Sequence, residues 1–131
     1  MKSRERKINI GIMSWEDFKQ YTLSIAAGKR KPKAHTPKIW FHSMKSLAQV
    51  LSEPNQALLR LIIDEKPQSI SELMPLTGRK ANNLLRTLRT MENYGLVELV
   101  KSHEKHSGRP KLIPKVRYDS ANIELHFGSA H

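Results

Sequence analysis

From Arg79 to Arg89 the chain reads Arg-Lys-Ala-Asn-Asn-Leu-Leu-Arg-Thr-Leu-Arg. Three side chains in this run, Asn82, Asn83 and Arg86, have the groups that read base edges. A carboxamide can bind adenine at N6 and N7, and a guanidinium can bind guanine at O6 and N7. Asn82 and Arg86 stand four residues apart, which places them on one face of a helix. Arg79, Lys80, Thr87 and Arg89 lie on or beside the same face. They suit phosphate oxygens, which take most hydrogen bonds in protein–DNA interfaces. All the acids of residues 39–100 fall outside residues 79–90, so a cationic helix stands out from a balanced background.

A second basic group, Gly108-Arg109-Pro110-Lys111, occupies a polar segment between two apolar runs. At the tip of a hairpin, Arg109 and Lys111 would lie against phosphates or a narrow minor groove, whose negative potential attracts Arg. His103 and His106 flank Glu104 there, but two histidines on a loop without a third placed ligand make a poor metal cage, and no metal or other cofactor is expected. His35, His42, His126 and His131 are scattered. The chain has no G-x-x-x-x-G-K-[ST], no G-x-S-x-G and no clustered carboxylates, so no enzymatic activity is expected. Trp15, Phe18, Trp40 and Phe41 read as core or dimer contacts rather than platforms for stacked bases.

The elements that must hold these groups follow from periodicity and capping. Ile8, Ile10 and Ile12 alternate with Asn9 and Gly11, the period of a short strand. Ser14, with Asp17 three residues on, can cap a helix presenting Trp15, Phe18, Thr22 and Ile25 on one face and ending at Gly28. Ile39-Trp40-Phe41 reads as a strand, followed by helical spacing at Met44, Leu47, Ala48 and Leu51. Ser52 caps a further helix with Pro54 in its first turn and Leu58, Leu61 and Ile62 inward. Ser69 and Glu72 open a helix of about two turns carrying Ile70, Leu73 and Met74. After Thr77-Gly78, a helix beginning near Arg79 buries Ala81, Leu84, Leu85, Leu88 and Met91 and stops at Gly95. Leu96 to Lys101 and Lys115 to Tyr118 read as the strands of a hairpin, and Ile123, Leu125 and Phe127 as a last strand that extends a sheet or crosses to a partner chain.

A short capped helix, a glycine turn, a basic helix and a basic hairpin in this order predict a winged helix-turn-helix: a mainly α fold with a small β part, a three-helix core and a β-hairpin wing, extended by an N-terminal strand and helix. The chain resembles the MarR/ArsR-like winged-helix superfamily in the phrase L-x-x-L-E-x-x-G-L-V, here Leu88-Arg89-Thr90-Met91-Glu92-Asn93-Tyr94-Gly95-Leu96-Val97. Over about residues 39–127 it also resembles a group of small bacterial and archaeal regulators. The shared positions are Phe41, Leu47, Leu51, Leu58-Leu59, Ser69-Ile70-Ser71-Glu72-Leu73, and Gly78-Arg79 through Asn83, Arg86 and Leu88. It departs from that group at Lys80, where such proteins often carry Asp, and at Pro75 within the second helix. Some members are antitoxin-like and encoded beside small toxins, so the resemblance also implies the possibility of a cognate toxin partner.

The charge agrees with a polyanionic partner. The 131 residues carry 23 Lys and Arg against 12 Asp and Glu, a formal net charge of +11. Residues 1–38 hold ten basic and three acidic side chains, and the Pro-containing stretch 29–38 reads as a solvated basic linker. The expected organisation is an N-terminal arm over residues 1–28 for dimer or partner contact, a linker over 29–38, and a DNA-binding domain over 39–131. The absence of Cys excludes disulfides and Cys-ligated metal sites. No apolar run nears the ~20 residues of a membrane span, and the basic start lacks the apolar core of a signal peptide. The expectation is a cytoplasmic, nucleoid-associated homodimer that binds double-stranded DNA as an autoregulating repressor. Its alternative is an antitoxin that neutralises a cognate toxin through the N-terminal segment and binds its own operator.

Overall fold

The computed structural model describes residues 6–29, 36–102 and 110–128. Their elements run β1 (Lys7–Ile12), α1 (Trp15–Ala26), β2 (Ile39–Phe41), α2 (Met44–Val50), α3 (Glu53–Glu65), α4 (Ile70–Thr77), α5 (Ala81–Tyr94), β3 (Glu98–Lys101), β4 (Leu112–Lys115) and β5 (Ser120–Leu125). The expected mainly α balance gives way to a mixed α/β architecture in two compact units. One gathers the described residues up to Gln49 and from Ser120 onward, and the other is Val50–Asp119. No helix among the described residues is long and apolar enough to cross a membrane.

In the first unit β1 is the middle strand of a parallel sheet ordered β2-β1-β5. Its alternation places Ile8, Ile10 and Ile12 on one face, all buried. The register sets Ile39 and Ile123 beside Ile10, and Phe41 and Leu125 beside Ile12, so two apolar rows cross all three strands. On the other face Gly11 neighbours Trp40 and Glu124. The missing side chain at Gly11 admits the indole: a Cβ there would lie 2.6 Å from Cε3 of Trp40 and 2.9 Å from Cγ of Pro37. Helix α1 starts where the Ser14 hydroxyl accepts from the Asp17 N–H at 3.2 Å. Its Phe18 and Tyr21 rings stand 5.4 Å and 6.0 Å from the Trp40 ring, and Trp15 meets His42 edge-on at 5.1 Å.

This unit divides the chain elsewhere than an arm over 1–28, a linker over 29–38 and a domain over 39–131. Ile39–Phe41 and Ser120–Leu125 are the two neighbours of β1, so both ends of the expected domain pair with the expected arm. Parallel strands need no adjacency in sequence, so no local motif announces the pairing. Of the linker, residues 30–35 lie outside the described residues.

The second unit is built from capped helices. Ser52 Oγ accepts from the Asn55 N–H at 3.4 Å, Pro54 occupies the first turn of α3, and Leu58 and Ile62 are buried. Ser69 Oγ accepts from the Glu72 N–H at 3.2 Å, while the Glu72 carboxylate accepts from the Gln68 N–H at 2.9 Å, a capping box displaced by one residue. Leu73 of α4 and Leu84, Leu88 and Met91 of α5 are fully buried, and α4 packs against α5. Gly95 ends α5 at φ 87°, and the Gly95 and Leu96 N–H groups return to the Glu92 and Met91 carbonyls. β3 and β4 then pair antiparallel with Glu98 opposite Lys115.

The returning strand of this hairpin is Leu112–Lys115, three residues earlier than the expected Lys115–Tyr118. Pro114 makes that segment look like a break, yet proline is tolerated in an edge strand, and here it is buried opposite Leu99. Arg117 lies past the strand and donates to Glu98 at 2.6 Å, and this hydrogen bond raises its pKa.

Candidate nucleic-acid interface

The loop from α4 to α5 is held by local bonds that settle where the cationic side chains stand. Gly78 takes the left-handed conformation at φ 72° and donates to the Met74 carbonyl at 2.8 Å, closing α4. The Thr77 hydroxyl donates to the Leu73 carbonyl at 2.8 Å and accepts from the Arg79 N–H at 3.1 Å. Lys80 is extended, with ψ 156°, so α5 begins at Ala81. Arg79 and Lys80 therefore precede the helix, correcting the expectation of a helix starting near Arg79. Lys80 is the N-cap, and its carbonyl accepts the first bond of the helix from the Leu84 N–H at 3.0 Å.

Arg79 has a structural task. It is partly buried, and its guanidinium donates from Nε to Asn83 Oδ1 at 2.7 Å, from Nη2 to Thr87 Oγ1 at 2.7 Å and from Nη1 to Asn55 Oδ1 at 3.3 Å. Asn55 is itself fixed by its Nδ2 donating to the Val50 carbonyl at 2.9 Å. One planar fork thus fastens the first turn of α3 to the first two turns of α5. The spacing of Arg79, Asn83 and Thr87 carries a signal for this, since each is four residues from the next. Asn55, distant in sequence, carries none.

The buried stripe Leu84, Leu88 and Met91 turns the opposite side of α5 to solvent, where Asn82, Asn83, Arg86, Arg89 and Asn93 are exposed. Among the described residues the side chains of Lys80, Asn82 and Arg86 have no hydrogen-bond or ion-pair partner. Asn83 has its oxygen on Arg79, which aims its amide donors away from that contact. Arg89 pairs with Glu92 at 3.4 Å across one turn, which partly neutralises it. Lys80 brings no side-chain bond to the amides that open α5, and no acid lies in the first turn. Pro54, Arg79, Lys80, Asn82, Asn83 and Arg86 line an open depression of about 520 Å³ there. A helix start of this kind presents N–H groups and the positive end of the helix dipole to an anion.

Of the two hairpin-tip residues, Lys111 is exposed beside β4, and its backbone continues the ladder through the Ser102 N–H to Lys111 carbonyl bond at 2.8 Å. Arg109, His103, Glu104 and His106 lie outside the described residues. No group of three or more His, Asp or Glu among the described residues is arranged to hold a metal ion.

The fold and this face define a class: a small mixed α/β protein whose second unit joins capped helices to an antiparallel hairpin and presents an amide- and guanidinium-bearing helix surface. The chain belongs to the HVO_A0114 family, whose family model matches residues 50–123. That span takes in the whole second unit, Val50–Asp119, and enters β5. No curated protein and no solved structure matches the chain.

Proposed function

We propose that the chain is a sequence-specific, double-stranded DNA-binding transcription regulator of the winged helix-turn-helix type. In this reading α3, α4 and α5 form the helical core, α5 enters the major groove, and the β3–β4 hairpin is the wing. The observation that carries it is the exposed face of α5, where Asn82 and Arg86 stand one turn apart without partners among the described residues, beside the cationic depression. Asn82 and Arg86 act as base readers, Asn83 reads through its amide donors, and Lys80 meets a phosphate. Arg79 and Thr87 serve the interface indirectly, by holding Asn83 in place. The proposed role is that of a repressor acting on its own promoter.

The test is selection of a site from random duplex DNA at fixed salt, followed by fluorescence anisotropy with the wild type and Arg86→Ala. The expected result is a loss of about 1–3 kcal/mol in affinity for the selected site, with relaxed preference at one base pair. Unchanged affinity and preference would remove Arg86 as a reader. Failure to enrich any duplex would remove the DNA-binding reading altogether.

A further inference from the structure

The last strand leaves an edge of the first unit open. β5 pairs with β1 on one side only, and among the described residues no strand lies on its other side. The Ser120 and His126 N–H groups donate to the Arg6 and Ile12 carbonyls of the β1 side. In a parallel ladder alternate residues turn both backbone groups the same way, so Ala121, Ile123 and Leu125 direct theirs outward. The same residues carry the apolar rows of the sheet to its rim. Ile123 and Leu125 sit beside the buried Ile10 and Ile12, yet are 52% and 47% exposed, and Phe127 just beyond is 94% exposed. A strand that is apolar on one face, with unpaired backbone groups on its free side, is a template for another strand.

We propose that β5 pairs antiparallel with β5 of a second copy of this chain, about a two-fold axis through Ile123. The sequence of β5 is complementary to itself in that register. Ile123 faces Ile123 of the other copy, Ala121 faces Leu125 so that a small side chain meets a large one, and Asn122 faces Glu124, so no two like charges meet. The outward backbone groups of Ala121, Ile123 and Leu125 then fall opposite one another, which is the condition for hydrogen-bonded antiparallel pairs. An axis through Leu125 would instead run Ala121 and Asn122 past Phe127, leaving half of the strand unmatched. The product is one sheet ordered β2-β1-β5-β5-β1-β2 whose apolar rows run through both copies. It uses a face other than α5, so it stands or falls independently of the DNA-binding reading.

The chain contains no Cys, so single cysteines report the pairing without background. Residues opposite each other in a hydrogen-bonded antiparallel pair have Cα atoms about 5.5 Å apart, inside the roughly 4.4–6.8 Å range that a disulfide spans. Full-length Ile123→Cys is expected to form a covalent dimer on mild oxidation, and Leu125→Cys, displaced from the axis, is expected to cross-link at least tenfold more slowly. By light scattering the wild type is expected at dimer mass, and Ile123→Lys with Leu125→Lys at monomer mass with an unchanged far-UV circular dichroism spectrum. A monomeric wild type at tens of micromolar would overturn the proposal and leave the edge to a strand of a different protein. A lysine variant that remains dimeric, or Leu125→Cys cross-linking faster than Ile123→Cys, would overturn it as well. Should the lysine variant fail to fold, the cysteine comparison still decides.

Discussion

Arg79 and Arg86 show how two arginines seven residues apart come to opposite surroundings. Arg86 stands on the exposed side of α5 without an internal partner among the described residues, whereas Arg79 donates to Asn55, Asn83 and Thr87. Replacing Arg79 with Ala is expected to cost about 1 kcal/mol or somewhat more, since hydrogen bonds to charged groups contribute about 1.5–3 kcal/mol and this group is part-solvated. Urea denaturation would measure it. Arg79→Lys should recover little of the loss, because an ammonium on a flexible stem cannot bond three fixed acceptors as a planar fork does. Gly11 is the other residue whose identity is dictated by space. Gly11→Val would drive a side chain into the Trp40 indole, with an expected cost of about 1–3 kcal/mol, seen as a lowered Tm and a changed near-UV signal.

At the scale of elements, the helices were legible because their signals are local. Ser14, Ser52 and Ser69 each accept from the N–H three residues on, as their spacing predicts, and the stripes at Leu58 and Ile62 and at Leu84, Leu88 and Met91 are the buried faces. The Ser69 cap has the strongest claim on stability, because Ser69 is buried and the carboxylate of Glu72, in the first turn of α4, accepts from the Gln68 N–H. Ser69→Ala should lower stability by about 1 kcal/mol, read as a fall in the urea midpoint at constant slope, while Ser69→Asp should keep most of it. The start of α5 and the second strand of the hairpin differ from what their spacing predicts. In neither does the residue's own tendency decide: Lys80, which has no capping side-chain bond, is the N-cap of α5, and an edge position accepts Pro114.

For the whole molecule, the net charge of +11 is a statement about partners rather than about fold. If the α5 face meets a duplex, log affinity should fall linearly with log salt, with a slope of about −0.9 per phosphate neutralised. Lys80→Ala should then weaken binding to all sequences alike and reduce that slope by about one, whereas Arg86→Ala should alter sequence preference. Titrations at several salt concentrations separate the two.

Capping serines, apolar stripes and the cluster of Asn and Arg on one helix turn were readable from the residues alone, because each depends on neighbours within a few positions along the chain. The partnership of β1 with β2 and β5 was not readable. The Asn9–Asn122 hydrogen bond closes a separation of 113 residues, and many apolar strands would satisfy the same local pattern. Which of them meet is chosen by the packing of the folded chain, where Trp40 needs the space above Gly11 and the isoleucines of β1 need apolar neighbours on both sides.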